Sequence, residues 1–167
     1  MSDETGEHEV RFRESDRRVL KRTWTGTFGM VPAWKDDSWR PAAATPLDYL
    51  RRFAMHNALF EDDVCLEGVI VSKKPSNLPG IVPGGASMVI SQRWLVAADH
   101  ERPHPNEDEI ITLMEELGFE PIPDSFFGWF SESKSLLVLD AKPDNFVKTA
   151  DGILPFDLML LSLRDSE

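Results

Sequence analysis

The chain reads as an α+β protein: an antiparallel sheet with one packed helix, then a smaller lobe built from a second helix and a polar hairpin. Three observations carry this. Short runs rich in strand-forming residues (10–24, 64–72 and 86–97) are bounded by turn residues. Two other stretches, 46–60 and 105–117, repeat apolar residues at three- and four-residue spacing behind good helix caps. Finally, 136–161 holds two leucine-rich runs joined by a polar segment, which reads as strand, loop and strand.

Residues 1–8 are polar and acidic and read as a disordered start; 9–97 read as the sheet-and-helix lobe and 98–167 as the second lobe. Val10 and Phe12 alternate with charged residues, Glu14-Ser15-Asp16 turns the chain, and Val19-Leu20-Lys21 continues it as the second arm of a hairpin. Residues 30–45 contain proline and tryptophan without clear periodicity and read as a loop. Thr45 and Pro46 then open a helix, with Asp48 in its first turn and a stripe of Leu47, Leu50, Phe53, Ala54, Asn57 and Ala58. A strand over 64–72, a Pro/Gly loop over 73–85 and a strand running into a connector over 86–97 follow. Asn106 caps the second helix, whose buried stripe is Ile110, Leu113, Met114 and Leu117, and Gly118 ends it. The aromatic stretch Phe126, Phe127, Trp129 and Phe130 is expected to pack beneath the final hairpin.

Composition narrows the function classes. Hydrophobic residues make up 41% of 167 positions, and mean hydropathy is −0.29. No run approaches a membrane span, and the acidic start is unlike a signal peptide, so the expected setting is cytoplasmic. Cys65 is the only cysteine, which rules out an intramolecular disulfide and a cysteine-built zinc site. The net charge is −11, and from Asp99 to Asp124 nine acidic residues face one arginine. That balance argues against nucleic acid as a partner and suits a basic substrate.

Acidic residues among leucines need pairing or a metal, because burying a lone carboxylate costs several kcal/mol. Asp140 ends the first leucine-rich run, Asn145 lies in the polar segment, and Asp157 sits inside the second run. All three offer hard oxygens, the ligand type that suits Mg²⁺. Lys142 adds a cation fitted to a phosphate.

Asp140-Ala141-Lys142-Pro143-Asp144-Asn145 resembles the D-x-K-P-x-N catalytic loop of Ser/Thr protein kinases, and Asp157 follows at an interval similar to that of their metal-binding aspartate. The wording from Asp140 to Leu158 looks closest to the compact kinase-like domains of polyvalent proteins in phages and mobile elements. It is also similar, more distantly, to aminoglycoside phosphotransferases. The resemblance implies a reduced protein-kinase-like fold with an antiparallel N-lobe and a minimal C-lobe. It implies ATP and Mg²⁺ as cofactors, and a hydroxyl on a protein or small molecule as acceptor. Asp140 would then act on the acceptor, Lys142 on the transferred group, and Asn145 and Asp157 on the metal. Lys21 would contact phosphates, and Ser91, Gln92 and Arg93 would form the adenine-binding hinge.

The chain also departs from that pattern. No glycine-rich loop precedes Lys21, since Gly6 is the only glycine before Gly26. No glutamate occurs from Pro46 to Phe60 to hold the lysine; Asp48 is a candidate, though it suits a cap or a pair with Arg52 equally. Only ten residues follow Asp157. Two other readings therefore stand beside phosphoryl transfer: a pseudokinase-like module that binds nucleotide or protein without turnover, and a hydrolase in which Asp140 activates water.

Overall fold

The computed structural model describes residues 7–71, 85–125 and 127–164. In its first half these form β1 (His8–Arg13), β2 (Arg18–Thr23), β3 (Met30–Lys35), β4 (Ser38–Ala43), α1 (Pro46–Phe60), β5 (Cys65–Val71) and β6 (Ala86–Arg93). The second half contributes α2 (Glu107–Glu116), β7 (Glu120–Pro121), β8 (Trp129–Ser131), β9 (Leu136–Leu139), a single 3₁₀ turn (Pro143–Asn145), β10 (Phe146–Thr149), β11 (Gly152–Pro155) and β12 (Met159–Ser162). The architecture is α+β with antiparallel sheets and two helices. Neither helix is long and apolar enough to cross a membrane. Of the start expected to be disordered over 1–8, residues 1–6 lie outside the described residues, as do most of the loop at 73–85 and Phe126, whereas His8 is buried and opens β1.

The chain divides into two compact units, Met1–Met30 with Ala43–Trp94, and Val31–Ala42 with Leu95–Glu167. The expected boundary after 97 thus moves to Trp94, and residues 31–42 join the second unit. Those residues, expected to be a loop, belong to a hairpin. Asp36 and Asp37 both take left-handed backbone (φ 50° and 57°), the geometry of a tight two-residue hairpin turn. Trp34 and Trp39 meet edge to face at 5.5 Å. Pro32 and Pro41 mask the strand pattern in the sequence, yet a two-stranded sheet has an open edge on each strand that tolerates proline.

In the first unit the sheet order is β1-β2-β6-β5, every neighbour antiparallel. The core is Tyr49 and Phe53 of α1 with Val64, Met88 and Ile90. Thr45 and Asp48 close a reciprocal capping box at the start of α1. At its other end the Asn57 amide accepts from Val64 N and donates to Val64 O, both at 2.9 Å, pinning the helix to the entry of β5.

The expected stripe on α1 is rotated from the real one. Leu47 is exposed and Leu50 half-buried; the buried face is Tyr49, Arg52, Phe53 and His56. Polarity hid that face, and each polar member has a partner. His8 Nε2 meets the Tyr49 hydroxyl at 2.9 Å, Arg52 donates to Glu7 at 2.9 Å, and His56 lies 3.3 Å from Asp62.

In the second unit the main sheet runs β12-β9-β8-β7. β9 is paired on both edges and is also covered on both faces: Leu137, Val138 and Leu139 are fully buried. α2 starts at a capping box between Asn106 and Glu109 and buries Ile110 and Met114. A second hairpin, β10–β11, stands between β9 and β12 in sequence. The connector ahead of α2 holds its edge: Ala98 N donates to Lys148 O and Lys148 N to Pro103 O, each at 2.8 Å.

Candidate functional site

The two apolar runs around the polar loop are four strands rather than two. β9 pairs with β12 (Leu139 opposite Met159, Leu137 opposite Leu161), and β10–β11 is inserted between them. Asp157 consequently lies on the bend between β11 and β12 rather than inside a strand, and it is half-buried. The reason is Pro155, which ends β11, followed by a turn that starts a new strand at Met159.

Asp140 leaves β9 in left-handed conformation (φ 60°), sparsely populated for a residue with a side chain but tolerated by Asp and Asn. The reversal turns its carboxylate back over the loop. Asn145 Nδ2 donates both to Asp140 Oδ2 and to Asp140 O, each at 2.8 Å, and both residues are 8% exposed. The Lys142 ammonium stands 3.2 Å from Asp140 Oδ1, at ion-pair distance but not aligned as a hydrogen bond. Oδ1 is therefore buried with no hydrogen-bond partner. The Lys142 ammonium offsets the cost of burying this oxygen, so its charge is compensated while its hydrogen-bonding capacity is left over. Asn145 N donates to Lys142 O at 3.0 Å, closing the loop. Phe156 N donates to Asn145 O at 3.1 Å, which ties the bend carrying Asp157 to the same loop. With Asn145 Nδ2 committed to Asp140, its Oδ1 is the metal-capable atom.

Lys21 lies in the first unit, on β2, 7% exposed and opposite Ile90 of β6. It shares the core-facing side of the sheet with Thr23, whose hydroxyl accepts from Met88 N. Leu20 and Arg22 line a shallow recess on the opposite side. Asp48 is committed elsewhere: its Oδ2 accepts from Thr45 N at 2.9 Å and Thr45 Oγ1 at 2.6 Å. Those two bonds hold its carboxyl below the usual range, while burial acts the other way.

Ser91, Gln92 and Arg93 are not on a connector. They are the last residues of β6, the strand between β2 and β5; Arg93 opposes Arg18, Gln92 opposes Val19, and Ser91 faces Leu20 on one side and Cys65 on the other. A strand flanked on both sides spends its backbone on the sheet, so Ser91 and Gln92 are poor partners for a base edge, and the connector begins at Trp94. Their side chains are structural. Ser91 Oγ accepts from Arg18 at 2.8 Å; Gln92 Nε2 donates to Asp62 at 2.6 Å; Arg93 Nε lies 3.4 Å from Asp62.

A cavity of about 380 Å³ adjoins the polar loop within the second unit. Ala141 and Pro143, the neighbours of Lys142, form one wall; Ile110, Ile111, Ile122 and Trp129 form others. The 124–130 stretch was expected to be packing alone. Trp129 is buried, but Phe130 is only half-buried and Phe127 is exposed and left-handed (φ 46°) at the cavity's edge. The signal available in the sequence was Phe127-Gly128. A side chain at Gly128 would collide with Ser125 Oγ and Leu139, so this turn fits only glycine there.

No protein-family model, no curated protein and no solved structure matches the chain.

Proposed function

We propose that the protein is a Mg²⁺- and ATP-dependent phosphotransferase acting on a hydroxyl, with Asp140 as the group that orients the acceptor. The observation that carries this reading is the clasp in which Asn145 fixes one oxygen of Asp140 while the other is left beside Lys142 without a hydrogen bond. Phosphoryl transfer asks a protein mainly for positioning and charge neutralisation. This loop supplies both from a few residues.

Asn145 and Asp157 each offer a hard oxygen, the ligand type that suits magnesium. When bound, Mg-ATP supplies the transferable group and masks its negative charge. Asp140 Oδ1 would accept the hydrogen bond of the acceptor hydroxyl and take its proton, the nucleotide leaving as the diphosphate when its phosphoryl group passes to that oxygen. Lys142, more than a third exposed and paired with Oδ1, would neutralise charge on the transferred group. Lys21, buried on β2 of the first unit, is assigned to phosphate by the resemblance alone.

A second reading, a module that binds nucleotide without turnover, draws on a specific observation. Asp48 is the one acidic residue of α1 and is spent on the cap, so α1 supplies no glutamate of the kind the kinase resemblance implies. Incubation with γ-labelled ATP and a panel of protein and small-molecule hydroxyls decides between the two. Label transfer lost in Asp140→Asn supports the enzyme. Calorimetric ATP binding with no transfer to any acceptor supports the module.

A further inference from the structure

We infer that the cavity beside the polar loop is an acceptor-docking pocket, and that it takes a large apolar side chain of a protein segment whose neighbouring residues are basic. This inference rests on the phosphotransferase reading above and names its substrate class. Two of the pocket's walls belong to the reacting loop itself: Ala141 and Pro143 flank Lys142, one residue from Asp140 and two from Asn145. A side chain seated there lies against the residues on either side of Lys142, in the loop that carries Asp140.

The pocket is built rather than left over. Ile122 N donates to Gly128 O at 2.9 Å, Ser125 Oγ donates to Ile122 O at 2.7 Å and accepts from Gly128 N at 3.0 Å. Phe127 O accepts from Ala141 N at 3.1 Å, which couples the rim to the loop by a backbone bond. Ile111 and Phe127, 42% and 47% exposed, present apolar surface at this rim where solvation alone would favour polar residues.

Charge decides the occupant. Glu107 is the only ionisable residue lining the cavity. The elements around it carry Asp108, Glu115, Glu116, Glu120 and Asp124, all exposed, and no Lys or Arg occurs between Arg102 and Lys134. An apolar pocket with Glu107 in its wall and five more exposed carboxylates on the adjoining elements, against the single ammonium of Lys142 between Ala141 and Pro143, favours a partner with basic residues around an apolar anchor. A nucleic acid or acidic peptide would be repelled.

The test is an array of immobilised peptides with one serine, each flanking position scanned through Phe, Leu, Ala, Arg and Glu. The array is probed with the full chain for retention, and then for label from γ-labelled ATP. Retention should rise about tenfold or more where Phe or Leu beside Arg replaces Ala beside Glu, as expected for burying one large side chain. Ile111→Glu and Phe127→Asn should each erase that preference. Both sites are exposed, Asn keeps the left-handed backbone, and thermal melting checks the fold. Equal retention of Phe and Ala peptides, no retention at all, or a preference unchanged in both variants overturns the pocket. Selective retention without label leaves the pocket standing and overturns phosphotransfer. Label on every serine peptide regardless of its neighbours does the reverse.

Discussion

Phe156 gives its amide hydrogen to the carbonyl oxygen of Asn145 across 3.1 Å, and that one bond closes a ring of chain around the β10–β11 hairpin. Asn145 opens the hairpin and Phe156 leaves it. Asp157, next in the chain, is thereby held to the loop that carries Asp140 and Lys142.

The hard oxygens should show first in metal dependence. Calorimetry with ATP should give binding that needs Mg²⁺ and weakens about tenfold or more in Asp157→Ala and in Asn145→Ala. Affinity unchanged in Asp157→Ala would remove that residue from the site.

Asp140 offers a cleaner substitution than most catalytic candidates. Asn tolerates its left-handed backbone and keeps its volume, so Asp140→Asn should melt close to wild type while lowering transfer by about 10²–10⁴-fold, the usual share of a general base. Asp140→Ala should also cost stability, about 1 kcal/mol from the backbone alone. Equal melting temperatures for the two variants would count against strain at this position.

Lys21 and Asp48 should separate. Lys21→Met should weaken nucleotide binding, since an isosteric thioether fills the space without the charge. Asp48→Ala removes the capping box and should cost about 1 kcal/mol of stability, with nucleotide affinity unchanged. A large drop in affinity for Asp48→Ala, measured by calorimetry below its melting point, would return that residue to the site.

Acid should act on the first unit through Asp62. Burial raises its carboxyl, but the His56 ring 3.3 Å away and hydrogen bonds from the Asp63 amide and Gln92 outweigh this and hold it at about 2. The folded value lies below the unfolded one of about 3.9, so the contribution is complete above that pH and lost as pH falls through 2. It amounts to roughly 2 kcal/mol. Urea melts of wild type and Asp62→Asn should differ by about that much at pH 6 and converge toward pH 2. A constant difference across that range would assign the effect to packing instead.

Caps and apolar periodicity made both helices legible, and the alternation at Val10 and Phe12 made the first hairpin legible. What stayed hidden has physical causes. The face of α1 was obscured because Arg52 and His56 are buried in ion pairs, so hydrophobicity misplaced the stripe. β3 and β4 were masked by prolines that only an open sheet edge tolerates. The residue types of the loop Asp140–Asn145 were readable, but the left-handed turn at Asp140 and the two hydrogen bonds from Asn145 depend on contacts that local sequence does not encode. Ser91 and Gln92 were misplaced because a strand's end is set by its neighbours, here β2 and β5.

β9 has one more consequence. Four consecutive apolar residues, covered on both sides, make a strand that could slide by one position and still bury leucine against leucine. Oil alone leaves its alignment with β12 degenerate. The alignment is chosen at the strand's end, where Asp140 must meet Asn145 and Phe156 must reach the same residue. The polar clasp is thus a ratchet pawl for the hydrophobic sheet, holding Leu137 opposite Leu161 and Leu139 opposite Met159.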